Sequence, residues 1–246
     1  MRQGRDLPKC DLVVSPCEMG AVNILVVFAK EPVPGKVKTR LAETLGADAA
    51  AEIYLAFLAD LRDRFRTTAD NRYVAYTPGA ARTFFAQFFG DDYRLVPQGD
   101  GDLGERMARV FETHLRGEHV GREGTGVRVV VVGSDSPTLP LGRVRDAFAL
   151  LAENDVVLGP ACDGGYYLVG CRRPAERLFD DIDWGKSLVL LETVQRLSGG
   201  SMRLALLDPW YDVDTIEDWQ MLQGHASALR RAGLNPGIPH TEQKWR

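Results

Sequence analysis

Two short runs of β-branched residues constrain this chain more than anything else in it: Asn23–Ala29 (NILVVFA) and Val127–Val132 (VRVVVV). Neither alternates polar with apolar, so each reads as a strand buried on both faces rather than the half-solvated strand of an antiparallel meander. Helical patterns lie between and around them. Ala47–Phe65 repeats Ile53, Phe57, Leu58, Leu61 and Phe65 at helical spacing, and Leu103–Arg116 places Leu103, Met107, Val110, Phe111, His114 and Leu115 on one side.

The remaining segments continue the alternation. Arg72–Tyr76, Arg94–Pro97, Asp155–Leu158, Tyr166–Val169 and Met202–Leu207 read as strands; Thr83–Phe89, Leu141–Leu151, Lys186–Leu197 and Thr215–Leu222 read as helices. Strands joined through helices make a mostly parallel sheet with right-handed crossovers. The expected fold class is therefore α/β, a three-layer α/β/α arrangement around a mostly parallel central sheet. No repeat or linker divides it, so residues 21–224 are expected to form one domain. Residues 1–20 are expected to be a disordered leader, and residues 225–246, with Gly233, Pro236, Gly237 and Pro239, a loosely ordered tail.

At 246 residues, 45% hydrophobic and 26% charged, the chain has the makings of a full core. Its formal net charge of -4 gives no global basic field for nucleic acid or an acidic membrane, and no stretch approaches the roughly 18 apolar residues that cross a bilayer. Residues 1–20 lack the apolar run of a secretory signal. Cys10, Cys17, Cys162 and Cys171 fall outside zinc-ligand spacing and are expected to be reduced thiols of a cytoplasmic protein.

In sheets of this kind ligands bind beyond the carboxyl ends of the strands, and four of those loops carry chemistry. Lys30–Arg40 (KEPVPGKVKTR) places Lys30, Lys36, Lys38 and Arg40 within eleven residues of an acidic protein. Gly35 lets the backbone approach a ligand, and Thr39 is a candidate helix cap, so the loop reads as a phosphate site. Asp135, in Gly133–Pro137, suits either a divalent metal on a diphosphate or a turn. Asp163, in GPACDGG, suits either an acceptor-side carboxylate, with Gly164, Gly165 and Tyr166 beside it, or a tight turn. In Tyr211–Thr215, Asp212 and Asp214 alternate, one available to the cleft as a further metal carboxylate and the other to the turn, where Thr215 and Asp218 form a capping box.

Two patterns are set aside. Gly99, Gly101 and Gly104 match GxGxxG, but mid-chain rather than after the first strand, so they are no dinucleotide fingerprint; Gly101, Gly104 and Arg106 remain in reach of a nucleotide's base or ribose. Gly185-Lys186-Ser187 ends like a P-loop, yet Asp180 stands where the first glycine is required.

Taken in order, FAKEPVPGKVKTRL, GDLGERM, GSDSPTLP, GPACDGGYYLVG and WYDVDTIEDW resemble a bacterial family of glycosyltransferase-like proteins with the GT-A, nucleotide-diphospho-sugar transferase fold. That family is itself similar to 2-phospholactate guanylyltransferase and the molybdenum-cofactor nucleotidyltransferases. The resemblance spans about Asn23 to Leu222. It implies donor phosphates on Lys30–Arg40, Mg²⁺ or Mn²⁺ on Asp135, an acceptor side at Asp163–Gly165, and a further carboxylate from the DVDT stretch. Where glycosyltransferases of this fold carry a DxD pair, this chain has Ser134-Asp135-Ser136, closer to the nucleotidyltransferase pattern. The expected function is transfer from a nucleotide or nucleotide-sugar donor to a small-molecule acceptor, with Asp135 and Asp163 as its catalytic carboxylates. Glycosyl transfer leads, nucleotidyl transfer is the alternative, and non-catalytic nucleotide binding is the third reading.

Overall fold

The computed structural model describes residues 20–116, 126–175, 177–198 and 200–245, so all but one residue of the expected leader, with Cys10 and Cys17, lies outside the described residues. Seven strands form one sheet: β1 (Val22–Lys30), β2 (Asn71–Thr77), β3 (Arg94–Pro97), β4 (Val127–Val132), β5 (Val156–Pro160), β6 (Tyr166–Cys171) and β7 (Leu204–Leu206). Their order across the sheet is β3-β2-β1-β4-β6-β5-β7. All neighbours pair in parallel except β6, which runs antiparallel to both β4 and β5. The mostly parallel α/β sheet expected from the sequence is the one found.

Eight helices among the described residues are α1 (Thr39–Leu45), α2 (Ala47–Arg64), α3 (Arg82–Phe89), α4 (Leu103–Arg116), α5 (Leu141–Leu150), α6 (Val189–Leu197), α7 (Ile216–Arg231) and α8 (Pro239–Glu242). They cover both faces. Ile53, Phe57 and Leu61 of α2, Phe85 of α3, Phe148 of α5 and Trp219 of α7 pack with Leu25, Val27, Val130 and Val132 on one side. Met107, Val110 and Phe111 of α4 pack with Ile24, Val26, Val129 and Val131 on the other, where Phe111 stacks on Phe179 at 5.5 Å. Odd and even positions of β1 and β4 thus enter two different cores, which is why these strands read as unbroken apolar runs.

Several boundaries differ from the sequence reading, which also has no counterpart of α1. α6 begins at Val189 rather than Lys186, because Gly185 has φ 100° and the chain turns there first. α7 continues nine residues past Leu222, through Gly224. The tail is not loose: Ile238 and Thr241 are buried, and the Asp60 carboxylate accepts the backbone N–H groups of His240 and Thr241, both at 2.9 Å. Arg64 donates to the Gly237 carbonyl at 3.0 Å and Lys244 pairs with Glu52 at 2.9 Å, fastening α8 onto α2. Among the described residues no helix is long and apolar enough to cross a membrane. Cys162 is exposed and Cys171 buried, both as free thiols.

Candidate functional site

Strand order reverses at β1: β2 and β3 lie on one side of it and β4 on the other. The loops leaving β1 and β4 bound a crevice at the carboxyl edge of the sheet. A cleft of about 680 Å³ opens there. Its walls include Lys30, Lys36, Lys38, Thr39 and Arg40 from the loop after β1 and the start of α1, Asp135 after β4, Asp163, Gly165 and Tyr166 at the β5–β6 turn, Arg106 of α4, and Asp212 and Asp214. The basic loop and the acidic residues, remote in sequence, face one space.

The carboxylates arrive there by backbone pairing. β7 is continued by the Leu207 N–H donating to the Leu158 carbonyl and the Trp210 N–H to Pro160. The Val213 N–H then donates to the Asp135 carbonyl at 2.9 Å, so the segment carrying Asp212 and Asp214 lies beside the loop after β4. Val213 is fully buried. In extended chain, residues i and i+2 share a face, and so Asp212 and Asp214 both line the cleft. The expected division, one carboxylate to the cleft and one to the turn, is corrected: Thr215 and Asp218 supply the capping box at the start of α7 by themselves.

Asp135 is flanked by two buried serines with structural partners. Ser134 Oγ is 2.8 Å from the Tyr54 hydroxyl, which also accepts the Lys30 N–H at 3.0 Å, and Ser136 Oγ donates to Asp212. Asp135 is the member of that triplet with a half-exposed side chain, 44%.

Lys38 is the largest departure from expectation. Instead of presenting a cation to solvent, its side chain is 2% exposed and its ammonium donates to the carboxylates of Asp135 and, at 2.9 Å, Asp214. Behind it lie the rings of Phe57 at 5.5 Å and Tyr54 at 5.9 Å. Burial pushes its pKa down, but the two carboxylates outweigh that and hold it above the usual lysine value. Burial pushes Asp214 up and Lys38 more than reverses the shift, leaving it below the usual range. Asp212 goes the other way. Burial, reinforced by the charges of Asp135 and Asp163, raises it to about 7 against the opposing Ser136 hydrogen bond. Among the described residues no three His, Cys, Asp or Glu side chains are grouped so as to hold a metal ion as they stand. The Lys38 ammonium occupies the space between two of the carboxylates.

Several expected site residues do other work. Thr39 is not the cap of α1; Lys38, with φ 47° and ψ 46°, occupies that position and makes no side-chain cap bond. Gly35, at φ 74°, forms the exposed turn without lining the cleft. A Cβ on Gly104 would lie 2.4 Å from the Phe179 carbonyl and 2.8 Å from Trp184 Nε1, and one on Gly101 would meet the Glu105 carboxylate. Gly104 serves packing at the start of α4, Gly101 forms an exposed turn with φ 100°, and neither lines the cleft. Gly164 likewise meets the Ser187 backbone, while Asp163 closes its turn by accepting the Gly165 N–H at 2.9 Å.

The sequence reading missed Tyr54, Gln98 and Trp184, which all line the cleft, and set aside Gly185, Lys186 and Ser187, which also do. The last three belong to the turn before α6, so their position reflects no phosphate loop. None of the three carries a local signal: Tyr54 is placed by α2, Gln98 by the residue after β3, and Trp184 by the turn before α6.

A family model described as an uncharacterized protein conserved in bacteria (DUF2064) matches residues 60–186. A Desulfovibrio desulfuricans G20 protein, provisionally named a nucleotide-diphospho-sugar transferase, has a crystal structure similar to this one. It is 33% identical, with a TM-score of 0.77 over 91% of this chain and 95% of its own. A nucleotidyl transferase from Methanothermobacter thermautotrophicus shares the fold at 17% identity, with a TM-score of 0.53 over 84% of this chain and 98% of its own. No curated protein matches the chain.

Proposed function

This chain belongs to the DUF2064 family of bacterial proteins, and from that premise we propose that it is a metal-dependent transferase moving a sugar from a nucleotide-diphospho-sugar to a small-molecule acceptor in the cytoplasm. One observation carries the proposal: Lys30, Lys36 and Arg40 line a single cleft of about 680 Å³ at the sheet's switch point together with Asp135, Asp212 and Asp214. That volume lies within the range of small-molecule sites. The name given to the Desulfovibrio relative supports the same donor class.

Lys30, Lys36, Arg40 and Arg106 would bind the donor's phosphates by charge-assisted hydrogen bonds. A divalent ion fits the acidic part of the cleft by the chemistry of its donors, which are all carboxylate oxygens suited to Mg²⁺ or Mn²⁺. Asp135 would hold it with a carboxylate of the Asp212–Asp214 stretch, and when bound the ion supplies Lewis-acid stabilisation of the departing diphosphate. Asp163, with Gly165 and Tyr166, would orient the acceptor. As the acceptor oxygen bonds to the anomeric carbon and the carbon–oxygen bond to the diphosphate breaks, the Asp163 carboxylate would take the hydroxyl proton.

A second reading, nucleotidyl transfer, is favoured by the number of cations: Lys30, Lys36, Arg40 and Arg106 suit a triphosphate, and Asp135 stands without a DxD partner. The products decide. Incubation with nucleotide-sugars and nucleoside triphosphates, with and without Mn²⁺, yields free nucleoside diphosphate under the first reading and pyrophosphate under the second. Turnover of neither donor class, with binding retained, leaves only a nucleotide-binding protein.

A further inference from the structure

Lys38 sits where a cation is wanted, and it is the protein's own. Its ammonium is held by Asp135 and Asp214 in front and backed by the rings of Phe57 and Tyr54, with 2% of the side chain exposed. The two carboxylates, by contrast, are 44% and 35% exposed toward the cleft. A divalent ion approaching from the cleft therefore meets carboxylates that are already paired, and must compete with a buried ammonium for both.

The backbone that carries Lys38 is itself unusual. At φ 47° it occupies the left-handed region, which residues with a Cβ seldom adopt, and it stands between the turn at Gly35 and the first residue of α1. Lys36 and Arg40, two positions before and after it, are exposed on the cleft wall. A diphosphate engaging those two cations would lie beside Lys38, offering its ammonium anionic oxygens in place of Asp135 and Asp214.

We propose that Lys38 is a built-in counter-ion that fills the metal subsite of the donor-free protein, and that a divalent ion gains the Asp135–Asp214 carboxylates only when a diphosphate draws the ammonium off them. Metal and donor are then positively linked: each strengthens binding of the other by the same factor. The inference rests on the metal-dependent reading of the cleft. It adds an order of events, since metal alone binds poorly and donor prepares the site.

The test reads Mn²⁺ binding by electron paramagnetic resonance of the free ion, with no turnover involved. Wild-type protein should bind Mn²⁺ weakly, and Lys38→Met, which keeps the length of the side chain and removes its charge, should bind it about tenfold or more tightly. Inorganic pyrophosphate should raise the affinity of the wild-type protein for Mn²⁺ within the range of about 5–150-fold typical of coupled sites, and raise that of Lys38→Met far less. Lys30→Met separates competition from simple charge removal, because Lys30 acts on Asp214 through space but forms no ion pair with it; its gain should stay within about threefold.

Equal Mn²⁺ affinity in wild type and folded Lys38→Met overturns the role of Lys38 while leaving the transferase reading intact. Failure of both to bind Mn²⁺, with or without pyrophosphate, removes the metal reading itself. If Lys38→Met does not fold, as judged by circular dichroism, the wild-type comparison decides alone: an Mn²⁺ affinity unchanged by pyrophosphate overturns the proposal.

Discussion

The Val213 N–H donates to the carbonyl of Asp135 at 2.9 Å, across a sequence separation that no local pattern reveals. That single bond makes the loop after β4 and the DVD segment one structural unit. Asp135 cannot be placed in the cleft without bringing Asp212 and Asp214 with it, and the burial of Val213 turns both of their side chains the same way.

The first prediction concerns Asp135. Its side chain is half exposed, its backbone carbonyl accepts the Val213 N–H, and its carboxylate is one of the two that hold the buried Lys38 ammonium. Asp135→Asn should therefore lower the melting temperature, because it leaves the buried Lys38 ammonium with Asp214 alone, and should lose Mn²⁺-dependent donor affinity by about 10–100-fold, the effect seen when a metal's protein partners are disturbed. Calorimetric titration of the donor with and without Mn²⁺, alongside a melting curve, measures both. Wild-type metal dependence in the variant would remove Asp135 from the metal site.

Lys36 and Arg40 test the basic loop. Both are exposed on the cleft and neither supports the core. Replacing either by Ala should weaken donor binding by about 1.5–3 kcal/mol, the range for hydrogen bonds to charged groups, and leave stability unaltered. Donor affinity untouched in both variants would sink the phosphate assignment.

Acidity gives a third handle. Asp212 has its pKa raised to about 7, first by burial and then by Asp135 and Asp163. The native protein therefore holds a proton that the unfolded chain has already lost, so this group's contribution to stability falls as pH rises from about 4 to about 7. Metal affinity should run the other way, strengthening through pH 7 with release of a proton. Asp212→Asn should flatten both profiles. Mn²⁺ titrations and thermal melts between pH 5 and 8 give the answer, and an unaltered slope in the variant assigns the titration to another group.

The general plan of this fold was legible because it is written locally. Unbroken apolar runs announced β1 and β4, helical spacing announced α2 and α4, and charged loops after buried strands announced the cleft. What the sequence hid depends on contacts between distant residues. Nothing near Lys38 indicates that its ammonium meets carboxylates 97 and 176 positions away. Gly101 and Gly104 looked like ligand-facing glycines, and only the approach of Phe179 and Trp184 shows why Gly104 bears no side chain. The DVD stretch differs for another reason: its spacing is visible in the sequence, but its orientation depends on Val213, which is buried and bonded to the distant Asp135.

The tail supplies the last prediction, since composition suggested a loosely held segment and the structure buries part of it. Gly233, Pro236, Gly237 and Pro239 break regular structure, yet they deliver Ile238 and Thr241 into a groove beside α2. The anchor is Asp60, itself 1% exposed, whose two oxygens accept the N–H groups of His240 and Thr241 at the first turn of α8. Burial raises its pKa, against the pull of those bonds. Asp60→Ala leaves both donors unsatisfied in a closed site, at a cost of about 1–3 kcal/mol. It should lower the melting temperature and expose residues 232–245 to limited proteolysis. Because Asp60 lies outside the cleft, donor affinity should stay at the wild-type value. A tail as protease-resistant as wild type would mean that Ile238 and the Arg64 and Lys244 contacts hold it without Asp60.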